Sequence, residues 1–140
     1  MFKKGDGLSK NVWISLLIRL MFGLVFFAHG LDIFIDYDRS VESMARPFLE
    51  TWLPMAAVYA FMYILPFAEI GIGISYLIGF KYRAVLVATG ILLAILTFGL
   101  AVRGDYEMIS RNLVYFFILL IGLWYSDENR FCICPSSIKD

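Results

Sequence analysis

The chain has 140 residues, 61% hydrophobic and 17% charged, with twelve basic and twelve acidic side chains. A soluble domain carries about a quarter charged residues, so this composition indicates a protein that resides in lipid. Zero net charge advertises no face for a polyanion, and no nucleic-acid partner is expected. Two cysteines, Cys132 and Cys134, exclude a disulfide framework for the body of the chain.

Four apolar stretches follow in order, at about 12–35, 54–79, 84–102 and 109–125. Each is near the ~20 residues that a membrane-spanning helix needs. The first exceeds the roughly 7–15 apolar residues of a leader peptide, so it is read as a helix that stays. The segment 36–53 is the long connection. Its Val41, Met44, Ala45, Phe48, Leu49 and Trp52 recur at three- and four-residue intervals. That spacing predicts an amphipathic segment on the outer membrane surface, bent at Pro47. "GFKYR" is a tight turn, which makes the second and third helices antiparallel neighbours, and "RGDYEMIS" is nearly as short. The fourth stretch needs "ISRN" to lie among the lipid headgroups, and 126–140 forms a tail.

Basic residues flanking the helices set the orientation. Lys3, Lys4, Lys10, Lys81, Arg83, Arg130 and Lys139 fall on one side, against Arg39, Arg46, Arg103 and Arg111 on the other. Both termini are therefore expected in the cytoplasm. Trp13, Tyr82, Trp124 and Tyr125 would mark the inner boundary, and Trp52 and Tyr106 the outer one. The expected fold is all-α, an integral membrane four-helix bundle forming a single membrane domain.

Polar residues inside the spans carry the functional question, because a charge in hydrocarbon costs about 2.5–3.5 kcal/mol on insertion scales. Arg19 lies about 10 Å and Glu69 about 15 Å from the same boundary, at 1.5 Å per residue. The two helices are antiparallel, so an Arg19–Glu69 pair would satisfy both groups. The alternative is that Arg19 reaches the headgroups and Glu69 is protonated. Gly23, Gly30, Gly71 and Gly73 are read as close-packing positions.

His29 and Asp32 share one face of the first helix. They lie toward its outer end, with Arg103, Glu107, Arg111 and Asn112 from the other side of the chain. These groups would form a polar cluster at the outer mouth, where a histidine beside a carboxylate relays protons near neutral pH. The alternative is that the helix ends there and both groups touch water. Tyr59, Tyr63, Tyr76 and Tyr115, with phenylalanines around them, would line a slot for a flat apolar ligand with one polar end, or pack the bundle. A single histidine excludes a bis-histidine haem within the chain. Cys132 and Cys134 cannot complete a tetrahedral metal site alone, so no metal is expected.

The stretches "IRLMFGLVFFAHG", "LPFAEIGIGISYLIGFKYR" and "SRNLVYF" resemble the DoxX-like family of small four-helix membrane proteins. Relatives often place a lysine just after the glycine that closes "AHG"; here Leu31 and Asp32 follow Gly30. The family includes the quinone-reducing thiosulfate dehydrogenase subunits called DoxD. The resemblance implies a small subunit of a quinone-linked oxidoreductase system in a bacterial cytoplasmic membrane. It implies a quinone as ligand and a redox partner subunit, and it carries Arg19, Glu69 and Asn112 over as site residues. Tyr63 is added as a ligand candidate, and His29 and Asp32 as proton-relay candidates. Two other readings are an assembly subunit of a larger complex or a homo-oligomer, and a carrier of lipid or a small molecule.

Overall fold

The computed structural model describes residues 10–126. Cys132 and Cys134, and the tail charges that weigh on the orientation, lie outside the described residues. The chain forms α1 (Lys10–Ile35), α2 (Tyr37–Ala45), a 3-10 turn (Arg46–Phe48), α3 (Met55–Ile78), α4 (Tyr82–Val102) and α5 (Tyr106–Trp124). No strand occurs among the described residues. Helices α1, α3, α4 and α5 are each long and apolar enough to cross a membrane. A helix satisfies every backbone N–H and C=O internally, as hydrocarbon demands. The protein is an all-α membrane four-helix bundle.

The ends of the spans are written into the sequence. Helix α3 stops at Gly79, whose φ of 71° is left-handed, and Phe80 N donates to Ser75 O at 3.0 Å across the turn. A residue without a Cβ takes that conformation at no steric cost. Helix α5 begins at Tyr106, earlier than its apolar run, because the Asp105 side chain caps it and accepts from Met108 N at 3.1 Å. Asp105 also pairs with Arg103. The Met108 N–H and the Arg103 guanidinium hold the Asp105 carboxyl below the ordinary carboxylate value. The stabilisation from this cap is therefore full above the unfolded carboxylate pKa and fades as pH falls through the lower folded value. Asp105→Ala should lower the thermal midpoint at neutral pH, and the difference from wild type should shrink in strong acid.

Helices α1 and α3 make the most extensive contact of the bundle. Its cause is a line of glycines. A Cβ on Gly73 would lie 2.6 Å from Phe27 N, and one on Gly30 would lie 3.0 Å from both Ile70 N and Pro66 O. With nothing larger than hydrogen at these points, the two backbones come together. Gly71 differs: a Cβ there would meet nothing within 4 Å. On the other side α4 packs along α5, where Gly90 accommodates Leu119.

The same contacts fix the register. Gly23 faces Leu77, Phe27 faces Gly73 and Gly30 faces Ile70. At the end where α1 stops, Tyr37 OH donates to Tyr63 O at 2.5 Å. Helix α3 therefore runs on past the end of α1, at Ile35, by about ten residues, 55–64, or about 15 Å. That offset leaves a space between α3, α4 and α5, and α2 with its 3-10 turn folds over it. Val41, Ala45 and Phe48 are buried there. The amphipathic segment thus covers the bundle with Val41, Ala45 and Phe48, while Leu49 and Trp52 stay exposed.

Candidate functional site

The space under this cover is a cavity of about 460 Å³, within the 300–1,000 Å³ usual for small-molecule sites. Its walls are apolar: Met44 and Phe48 from the cover, Val58, Met62 and Leu65 from α3, Leu96 from α4. Four polar side chains reach it, His29, Glu69, Arg103 and Asn112.

His29 and Glu69 form the floor. His29 Nδ1 lies 2.7 Å from Glu69 Oε2, a hydrogen bond between α1 and α3. The register makes the pair, since Gly30 and Ile70, the next residues along, face each other in the glycine contact. The Glu69 side chain is 4% exposed and that of His29 is 56% exposed. Glu69 stands nine residues from the end of α3, about 13 Å along the axis. A lone carboxylate at that depth is costly. The hydrogen bond to His29 gives the carboxyl group a partner at that depth. With Nδ1 engaged, Nε2 is the ring nitrogen left for a ligand.

Arg103 and Asn112 stand nearer the covered end. Arg103 pairs with Asp105 and sits 5.9 Å over the Phe48 ring, tying the α4–α5 turn to the cover. Asn112 Nδ2 donates to Thr97 Oγ1 at 3.3 Å, across α4 and α5. A flat molecule with a polar end would find acceptors and donors at the floor and apolar contact along the walls.

Arg19 and Glu69 do not form the expected pair. Arg19 Nε donates to the Tyr76 carbonyl at 3.2 Å, and its guanidinium lies 5.9 Å over the Tyr82 ring. The register puts Arg19 beside the α3–α4 turn, roughly ten residues or 15 Å along the axis from Glu69. Counting depth from helix ends assumed that α1 and α3 end in one plane, and they do not. Arg19 does not snorkel either, being 4% exposed. Instead of joining Asp32 at the mouth, His29 turns to Glu69. Asp32 is exposed and lies outside the cavity walls. Tyr63 also lies outside them, stacked edge-on against Tyr37 with ring centroids 5.4 Å apart. Glu107 and Arg111 pair with each other on exposed α5. The role of the cover was not legible from its periodicity, which fits a membrane surface as well as a protein one.

A second polar group lies at the opposite end, around Arg19. Tyr76 OH donates to Thr89 Oγ1 at 2.9 Å. Tyr82, expected at the membrane boundary, is buried beside Ser15, and among the described residues neither hydroxyl has a partner in good hydrogen-bond geometry. An unpaired buried hydroxyl costs about 1–3 kcal/mol. Tyr82→Phe should leave thermal stability in detergent unchanged or raise it, whereas a drop would mean that the hydroxyl contributes a bond.

A family model described as DoxX matches residues 14–102, from α1 through the end of α4. No curated protein and no solved structure matches the chain. The matched segment holds Arg19, His29, Asp32, Tyr63 and Glu69, while Asn112 lies beyond it on α5. The match spans more than half of the sequence and takes in both helices that supply the His29–Glu69 pair. This chain belongs to the DoxX family.

Proposed function

We propose that the protein is the small membrane subunit of a quinone-linked oxidoreductase system and holds a quinone head group on the His29–Glu69 floor. The observation that carries this reading is a hydrogen-bonded histidine–carboxylate pair at the base of an apolar cavity in a membrane bundle. Reduction of a quinone to quinol takes up two electrons and two protons. The electrons come from a redox-active partner subunit. The His29–Glu69 pair supplies one of the two protons to the quinone oxygen it holds and is reprotonated from water at the outer end, where Asp32 is exposed. The second proton reaches the other oxygen from the same water. Arg103 and Asn112 bound the upper part of the site.

Positive-inside asymmetry supports a bacterial cytoplasmic membrane with both termini inside. The cavity then opens toward the outer half of the bilayer. At that end Arg39, Arg46, Arg103 and Arg111 each have an acidic partner, Asp36, Glu42, Asp105 and Glu107 in turn.

A second reading, an assembly subunit, is favoured by α5, which buries only 11% of its most apolar window against the other described residues. Native mass spectrometry of the protein extracted from its own membrane in mild detergent separates the two. A bound quinone or a co-purifying redox subunit supports the first reading. A homo-oligomer carrying phospholipid alone supports the second.

A further inference from the structure

The cavity has a side as well as a floor and a cover. On α3, Val58, Met62, Leu65 and Glu69 face inward at helical spacing, and Gly73 lies on the α1 side. Ala57 and Phe61 also line the cavity, displaced by the helical twist toward the edge away from α1. On α4, Gly90 marks the face toward α5, with Thr97 two turns on beside Asn112. Leu92 and Leu96 face the interior. Ile95 lines the cavity from the edge away from α5, and Phe98 stands beside it, at 47% and 56% exposure. The edge at Ile95 is seven residues inside the end of α4, about 10 Å along the axis. An exposed apolar edge at that depth meets lipid chains rather than water.

We infer that the cavity loads from the bilayer through the seam between α3 and α4, so that its ligand is a tailed, membrane-dissolved amphiphile. The head rests on His29 and Glu69, and the tail leaves between Ala57 and Phe61 on one side and Ile95 and Phe98 on the other. The chemistry of the two parts agrees with this placement. The polar groups stand at the floor and under the cover, and the seam carries apolar side chains alone. Phe61 and Phe98 offer flat surfaces to a hydrocarbon chain. On the water side the buried Phe48 and the Arg103–Asp105 pair stand in the way of a bulky head group, though not of a proton. This inference rests on the proposed quinone site and adds its route and the requirement for a tail.

The test uses the full chain in phospholipid vesicles and a quinone whose ten-carbon tail ends in a photoreactive azide. Saturable binding is read first, by quenching of tryptophan fluorescence. Irradiation then marks the residues around the tail, located by peptide mass spectrometry. Label on Ala57, Phe61, Ile95 or Phe98, competed away by unlabelled decyl-quinone, is the expected result. Ile95→Trp, which narrows the seam, should weaken binding of the tailed quinone at least tenfold while the protein stays folded. Saturable binding with label on 37–48 or on Met108 overturns the lateral route and leaves the quinone site standing. Absence of saturable binding overturns both.

Discussion

Glu69→Gln is expected to lower quinone-linked turnover by about 10²-fold or more, the scale on which a positioned proton donor acts, with the helices and the yield of folded protein retained. The amide keeps the size and a hydrogen bond to His29 Nδ1, which now lies 2.7 Å from Glu69 Oε2. What it removes is the proton exchanged between the two. Binding of the quinone should change much less than turnover, because the apolar walls are untouched. Turnover equal to wild type would remove the pair from the mechanism. Glu69→Ala is a harsher change, since it deletes the hydrogen bond between α1 and α3 as well as the proton. A fall in folded yield with Ala, together with a fall in turnover alone with Gln, separates the structural role of Glu69 from the chemical one.

Gly73→Ala should destabilise the bundle by about 2 kcal/mol, within the range for forcing extra atoms into a close-packed contact. The added Cβ would stand 2.6 Å from Phe27 N, and backbone cannot rotate out of the way as a side chain does. The helices must separate, and the His29–Glu69 floor lies on the same interface. Gly71→Ala, two residues away, is the control. Its Cβ meets nothing within 4 Å, and a helix gains about 0.8–1 kcal/mol from alanine over glycine. Thermal unfolding in detergent of the two variants should therefore move in opposite directions. Equal shifts would contradict the glycine contact as the source of the α1–α3 packing.

The four spans were legible in the sequence because length and hydropathy decide them with no knowledge of packing. Legible, too, were three glycines at the α1–α3 contact, since small residues inside an apolar helix mark close approach. Gly71, in the same "GIG", faces open space because it sits two residues from Gly73 and so on another side of the helix. The partner of Glu69 was not legible. Depth counted from helix ends gave Arg19 and Glu69 similar heights, but the glycine contact slides α1 along α3 and sets His29 at the height of Glu69. Register is a property of two helices together, and neither sequence segment encodes it alone. Tyr82 shows the same limit in the opposite direction. Its position at a span boundary fits an interfacial aromatic, yet α1 extends beyond the end of α3 and covers it with Ser15 and Arg19. The segment 36–53 carried the right periodicity, and only the space left above the end of α1 shows that Val41, Ala45 and Phe48 cover protein while Leu49 and Trp52 stay exposed.

The most direct measurement is equilibrium binding of a short-tailed quinone followed through Trp52. This residue stacks edge-on against Phe98, a cavity residue, with ring centroids 6.4 Å apart. A Trp13→Phe, Trp124→Phe protein reports from Trp52 alone among the three tryptophans of the chain. Decyl-ubiquinone in detergent should quench this fluorescence saturably at one site per chain, and Val58→Phe, which fills the cavity without adding a tryptophan, should abolish the saturable component in a protein that remains folded. Quenching that rises linearly with quinone, unchanged by filling the cavity, would contradict a quinone site above the His29–Glu69 floor.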